Sequence, residues 1–345
     1  MNVSPPKHGI LLVTQVMDED HQVLGFFVSW VRLLAQYGDP ITIVCWSKGR
    51  CEGLPSNVEI LEFPRGKWKR WSGLFKLSLQ KRHEIRTVFV HMIPPVTAVL
   101  GLWWRMLGFR VVLWYTHGHV PLSLRFSERI VHTILTATDD SLKLATPKKV
   151  VTGHGIDLDI YHPVSGVTRE PMLLSVSRIS RRKDLMSFLK LCADLRARSP
   201  ERLFKGVIIG EPCTEDDVAY LAELKQFIAA EKLESIIVWE GKRTGNALLA
   251  LYSRAAVFIS TSQTGSLDKV VLEAMACEVP VLATGSVYAT LRGVCSVPSL
   301  NTEEVRTFIT TCLAIPAAFP IARQEVRERA DLSRLIEKIH QVLLS

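Results

Sequence analysis

The stretch Val257–Thr284, VFISTSQTGSLDKVVLEAMACEVPVLAT, constrains this chain more than any other. A short apolar run (VFIS) passes through a small polar loop (TSQTGS) into helix-compatible LDKVVLEAMA and leaves through a second apolar run, VPVLAT. Apolar runs of this length bounded by turn residues read as buried strands, so the order is strand, loop, helix, strand. The loop supplies Gly265 and Ser266, whose backbone N–H groups are candidate anion donors at a helix start. Asp268 reads either as a helix N-cap or as a carboxylate facing a ligand, and Glu273 lies five residues on, inside the helix.

The same alternation runs through the rest of the chain. Apolar runs at 9–15, 41–46, 58–63, 87–92, 111–115 and 150–153, and then at 172–178, 206–211 and 236–241, read as strands separated by helix-compatible segments. Strand alternating with helix implies a mostly parallel sheet covered on both faces. At 345 residues, with 48% hydrophobic and 22% charged residues, the chain suits two α/β domains of ordinary size and predicts no long disordered tail. Pro163 and Gly166 mark the hinge, giving domains over 1–163 and 164–322 and a terminal helix over 323–345. After MLLSVSR comes the basic loop SRRKD and then a helix. A strand, a basic loop and a helix N-terminus form a natural diphosphate site, because helix dipole and cations neutralise the anion together.

With those residues in view, VVLEAMACEVPVLAT resembles the C-terminal signature of family 4 glycosyltransferases, retaining enzymes of the GT-B fold that use nucleotide sugars. Three further segments are similar to that family in its order: WYTHGH, GHGIDLDIYHP and SRISRRK. The resemblance implies two Rossmann-like, doubly wound domains facing each other across a cleft, with the last helix packing back on the first domain. It implies that Arg178 and Lys183 grip the donor diphosphate, that Glu273 holds the ribose hydroxyls, and that His117, with His119 as second choice, contacts the transferred sugar. It also places the loop before Gly25 near the donor phosphates and acceptor. That loop is usually glycine-rich; here it offers Gly25 alone, preceded by Asp18, Glu19, Asp20 and His21, which read as an acceptor-orienting group or as a solvated turn. A second departure is Gly265, which stands where the family usually has a first glutamate, and Asp268 is the candidate replacement.

The expected function is metal-independent, retaining transfer of a sugar from a UDP- or GDP-linked donor to a lipid-linked or polysaccharide acceptor, in cell-envelope polysaccharide biosynthesis. The alternative is a sugar-nucleotide-binding protein of the same fold that has lost catalysis. No cofactor and no metal site are expected. The Asp-x-Asp element of the linker, Asp157 and Asp159, reads as turn residues. A nicotinamide-dependent dehydrogenase is disfavoured because Gly-x-Gly-x-x-Gly does not follow the first strand.

Charge is uneven. Up to Pro163 there are 19 Lys/Arg against 13 Asp/Glu, and beyond it 23 against 21, so the first half carries most of the formal +8. Its segment 65–86 mixes Lys and Arg with Trp68, Trp71, Leu74, Phe75, Leu77 and Leu79 at helical spacing. That pattern suits a surface helix against anionic lipid, and equally an amphipathic helix packed on the sheet. No nucleic-acid recognition module accompanies the charge. Seven scattered cysteines, an N-terminus without a secretory pattern and no apolar run long enough to span a bilayer predict a cytoplasmic protein, peripheral at most on the inner membrane face.

Overall fold

The computed structural model describes residues 8–21, 23–63, 66–201, 203–263, 267–315 and 317–345. The chain divides into two compact units, one running up to Gly155 and including Leu332–Ser345, the other Ile156–Asp331. The division thus falls eight residues before Pro163.

The first unit contains strands β1 (Gly9–Val13), β2 (Val16–Met17), β3 (Ile41–Cys45), β4 (Ser47–Lys48), β5 (Val58–Glu62), β6 (Ile85–His91), β7 (Arg110–Trp114), β8 (Thr133–Thr136) and β9 (Lys149–Val151). Its helices are α1 (Phe26–Ala35), α2 (Lys67–Gln80), α3 (Pro94–Met106) and α4 (Leu122–Ile130). Seven strands form one parallel sheet in the order β5-β3-β1-β6-β7-β8-β9, and β2 pairs with β4 apart from it. The period-two geometry of a strand explains why GILLV is apolar throughout: Ile10 and Leu12 face one core and Leu11 and Val13 the other. Residues of α1 fill the first of these cores, and residues of α2, α3 and α4 the second.

The second unit contains β10 (Glu170–Val176), α5 (Leu185–Arg198), β11 (Lys205–Ile209), α6 (Glu215–Ala230), β12 (Ile237–Gly241), α7 (Gly245–Arg254), β13 (Ala255–Ser260), α8 (Lys269–Ala276), β14 (Val281–Thr284), β15 (Val294–Val297), α9 (Glu303–Ala314) and α10 (Pro320–Arg329). Its six strands are parallel in the order β12-β11-β10-β13-β14-β15. The same division operates here: Phe258 of β13 faces one core, with α7, α8 and α10, while Val257 and Ile259 face the other, with α5, α6 and α9.

The expected single helix over 323–345 is two. It breaks after α10, where Ile156 N–H donates to Ala330 O at 2.7 Å, and resumes as α11 (Leu332–Leu344) within the first unit. Leu335, Ile336, Ile339 and Leu343 of α11 join the core that α1 fills. Its end is fixed by Thr87 Oγ1 donating to Leu343 O (2.7 Å) and Arg110 Nε donating to Val342 O (2.9 Å).

The loop after β1 is a structural ion network. Glu19 pairs with Arg32 (2.6 Å) and Arg50 (2.9 Å), Arg50 also pairs with Asp20 (2.8 Å), and Asp18 Oδ1 accepts the amides of Asp20 and Arg50. The three carboxylates are therefore engaged by arginines and amides in a turn whose Asp20 and Arg50 side chains stay exposed. Gly25 is the N-cap of α1, and a Cβ there would lie 2.4 Å from Glu19 O and 2.8 Å from His21 O. It lets this loop close on the helix start.

Candidate functional site

In the second unit the chain leaves β10 toward β11 and β12 on one side, then returns through α7 to β13 on the other side of β10. The loops that follow β10 and β13 therefore diverge at the carboxyl edge of two neighbouring parallel strands. Such a switch point is where open α/β sheets bind ligands. Helices α5 and α8 both start there, so two positive helix ends are directed to one place.

Lys183 lies in a short 3-10 turn, Arg181–Lys183, at the end of the first loop. Its ammonium meets Asp268 Oδ1 at 2.7 Å and Oδ2 at 2.9 Å, with Ser262 Oγ at 3.2 Å. The two side chains are mostly buried, 18% and 12% exposed. Three further hydrogen bonds staple the loops together: Thr261 Oγ1 to Lys183 O (2.6 Å), Gln263 N–H to Arg182 O (2.9 Å) and Gln263 Nε2 to Asp184 Oδ2 (2.8 Å). Lys183 is thus pre-positioned by backbone as well as side-chain contacts. Arg178 stands in the same loop and is exposed. Gly210, after β11, has φ +139° and would place a Cβ 1.8 Å from Ser177 O, so only glycine lets the start of this loop lie flat.

Asp268 occupies the N-cap position of α8, but its carboxylate makes no cap hydrogen bond. Of the two readings of this residue, the capping one is corrected: the carboxylate goes to a lysine 85 positions earlier instead. One turn into α8, Glu273 is 6% exposed, and its Oε2 is 3.3 Å from the Tyr252 hydroxyl. Burial pushes its pKa up, while Lys269 and the hydroxyls of Tyr252 and Tyr161 oppose that shift. Burial pushes the Lys269 ammonium down, opposed by Glu273 and Asp157. Glu273 is therefore turned inward in a small polar cluster with Lys269, Tyr252 and Tyr161. The Tyr252 hydroxyl engages one of the two carboxylate oxygens of Glu273. The tyrosines escaped the sequence reading because they come from the linker and from α7, far away in the chain. Asp157 accepts the amides of Asp159 and Ile160, an Asx turn, as its linker position suggested. Gly265 and Ser266 lie outside the described residues.

The other end of α8 closes in a Schellman arrangement: Val279 N–H donates to Ala274 O (3.1 Å) and Glu278 N–H to Met275 O (3.0 Å). The left-handed residue is Glu278, with φ +57°, where glycine is the unstrained choice. Glu278→Gly is accordingly expected to stabilise the protein by about 1 kcal/mol, read as a higher denaturant midpoint at unchanged slope. A lower midpoint would show that the glutamate side chain contributes more than its backbone costs.

In the first unit, His117 follows β7 at the carboxyl edge of its sheet. Its ring is exposed and its Nδ1 accepts the His119 amide at 3.0 Å, which fixes the ring and leaves Nε2 as the outward nitrogen. His119 is exposed as well, and its carbonyl accepts the Tyr115 hydroxyl at 2.8 Å. Among the described residues no group of three or more His, Cys, Asp or Glu is arranged to hold a metal ion.

Residues 159–293, which include Arg178, Lys183, Asp268 and Glu273, match the family model described as glycosyl transferases group 1. Over those residues the chain is similar to the group 1 glycosyl transferases. A segment of 131 residues is 29% identical to the D-inositol 3-phosphate glycosyltransferase of Pseudarthrobacter chlorophenolicus, covering 38% of this chain and 28% of that protein. Among solved structures, HepE of Anabaena, determined with UDP and glucose, superposes with a TM-score of 0.75 at 17% identity, covering 97% of this chain and 99% of that one. Sucrose-phosphate synthase of Thermosynechococcus elongatus gives 0.75 at 16% identity, covering 97% and 98%. At such identities the likeness establishes the fold, which is GT-B. The Lys183 site lies within the residues that match the family model.

Proposed function

We propose that this protein transfers a sugar from a nucleoside-diphosphate donor, and that the paired loops after β10 and β13 hold the diphosphate. The observation that carries this reading is Lys183, fixed at the switch point of the second unit with Ser262 beside it and two helix starts directed at the same place. Asp268 stands on Lys183 as an internal anion, occupying the position a phosphate oxygen would take. Donor binding exchanges that carboxylate for phosphate, and Asp268 is then free to meet hydroxyls of the donor sugar. As the glycosidic bond breaks, negative charge grows on the leaving diphosphate. Lys183, Arg178 and the helix starts are the groups that meet it, so the reading calls on no resident metal. Glu273 holds the ribose hydroxyls, and His117 contacts the transferred sugar.

The donor is UDP- or GDP-linked, with UDP first because HepE was solved with that nucleotide. Transfer is with retention, to a lipid-linked or saccharide acceptor. A thermal-shift panel of UDP-, GDP- and ADP-sugars tests the donor, since a ligand that binds only the folded state raises the melting temperature by mass action. Donor turnover with extract-derived acceptor then tests catalysis. His117→Ala is expected to lower turnover about a hundredfold or more while leaving UDP affinity unchanged. Donor binding without turnover, indifferent to His117→Ala, would instead identify a sugar-nucleotide-binding protein.

A further inference from the structure

Helices α2, α3 and α4 pack side by side on one face of the first sheet, their inner residues Leu74, Leu77, Val96, Leu100, Trp104 and Leu124 sharing one core. A surface helix with one face so employed is ordinarily polar on the other. The outer face of α3 is not, and those of α2 and α4 set exposed apolar side chains among their cations. On α3 the residues opposite the core are Val99, Leu102 and Met106, exposed by 48%, 61% and 79%, and the helix has a single charged residue, Arg105. On α2 the outer stripe is Trp68, Phe75 and Leu79, with Trp68 81% exposed. Helix α4 adds Leu122 (74%) and Phe126 (55%). Phe75 stacks on Trp103 with ring centroids 4.2 Å apart, joining the stripes of α2 and α3 into one surface. A contiguous exposed apolar patch of this kind marks a docking surface.

The charge around it selects the occupant. Between Gly66 and His132 the chain has eleven Lys/Arg and two acidic residues, Glu84 and Glu128. Helix α2 contains Lys67, Lys69, Arg70 and Lys76 and no acidic residue. On α4, Arg125 and Arg129 flank Phe126, with the Arg129 guanidinium 5.9 Å from its ring centre. Apolar stripes bordered by long cationic side chains match a layer with hydrocarbon beneath and negative charge above. A second copy of the same surface would set these cations against one another. Among the described residues no helix is long and apolar enough to cross a membrane, so the fitting geometry is a surface lying on the bilayer.

We propose that the outer face of α2, α3 and α4 docks on an anionic lipid surface, Trp68, Leu102, Met106 and Leu122 entering the headgroup boundary and the α2 and α4 cations meeting lipid phosphates. This stands independently of the donor site, which lies in the other unit.

The test is sedimentation of the full chain with vesicles of phosphatidylcholine alone and of phosphatidylcholine mixed equally with phosphatidylglycerol. Wild type is expected to pellet with the mixed vesicles at least about tenfold more strongly, and raised salt is expected to weaken that binding. Leu102→Glu with Met106→Glu, and separately Lys67→Glu with Lys69→Glu, should each weaken it at least about tenfold. Unchanged melting and unchanged UDP binding would show that these variants remain folded. Equal pelleting with both vesicles, no pelleting with either, or binding untouched by both double variants would overturn the proposal. So would a wild-type dimer dissolved by Met106→Glu, which would make a second copy the occupant.

Discussion

Lys183→Ala is expected to weaken UDP binding by at least about a hundredfold. A hydrogen bond to a charged group contributes about 1.5–3 kcal/mol, the upper end of which is a factor of about a hundred. The substitution does more than delete a cation, because it leaves Asp268, 12% exposed, with its negative charge facing the incoming phosphates. Asp268→Asn provides the opposing arm. It removes the internal competitor while keeping the side-chain volume, so UDP is expected to bind at least as tightly as to wild type. Titration calorimetry on the three proteins reads both effects. Equal affinity in wild type and Lys183→Ala would remove the lysine from the diphosphate site. A loss in Asp268→Asn as large as in Lys183→Ala would show that the aspartate positions the lysine rather than competing with phosphate.

The second large effect is one of stability. Arg169 lies just before β10, and its guanidinium donates to four carbonyls at two helix ends. Nη1 reaches Tyr252 O (3.3 Å) in the last turn of α7 and Ala255 O (2.9 Å) just after it, and Nη2 reaches Glu278 O (2.9 Å) and Cys277 O (3.3 Å) after α8. One side chain therefore ties the ends of both helices together, adding to the backbone N–H groups of Ala255 and Phe319 that Tyr252 O and Glu278 O already accept. Burial lowers its pKa, with Cys277 and Glu278 opposing, yet an arginine stays charged throughout the ordinary range. Arg169→Met keeps the aliphatic stem and removes all four guanidinium hydrogen bonds, at an expected cost of about 3 kcal/mol. Chemical denaturation should show the loss in the transition of the second unit. A change under about 0.5 kcal/mol, the range of ordinary surface substitutions, would mean that water replaces the guanidinium at no cost.

Much of the architecture was legible because parallel strands buried on both faces are continuous apolar runs. GILLV, VFIS and VPVLAT announce themselves without any tertiary information. Strand β8 (TILT) and strand β15 (VCSV) did not, since four residues divided between Thr, Ser, Cys and branched apolar side chains have no distinctive pattern. The break between α10 and α11 was also hidden: the helical period continues across it, and only the pairing of Ile156 with Asp331 interrupts it.

The site was legible in its parts and not in its pairings. Lys183 and Asp268 stood out separately, one in a basic loop after a strand and the other at a helix start. Their contact depends on β10 and β13 being neighbours, which is a property of the strand order. The cluster around Glu273 was invisible for the same reason, as was the use of Arg32 and Arg50 against the acidic loop at 18–20. The apolar stripe of α2 could be read from spacing. Its continuation over α3 and α4 needed the sheet that sets the three helices side by side.

The account turns on where a nucleoside diphosphate sits, and a crystal structure of the full chain with UDP measures that directly. The predicted result is a phosphate oxygen within hydrogen-bonding distance of Lys183 Nζ, at the starts of α5 and α8, with Asp268 displaced from the ammonium. UDP bound elsewhere, with the Lys183 and Asp268 pair still closed at the 2.7 Å seen here, would contradict it.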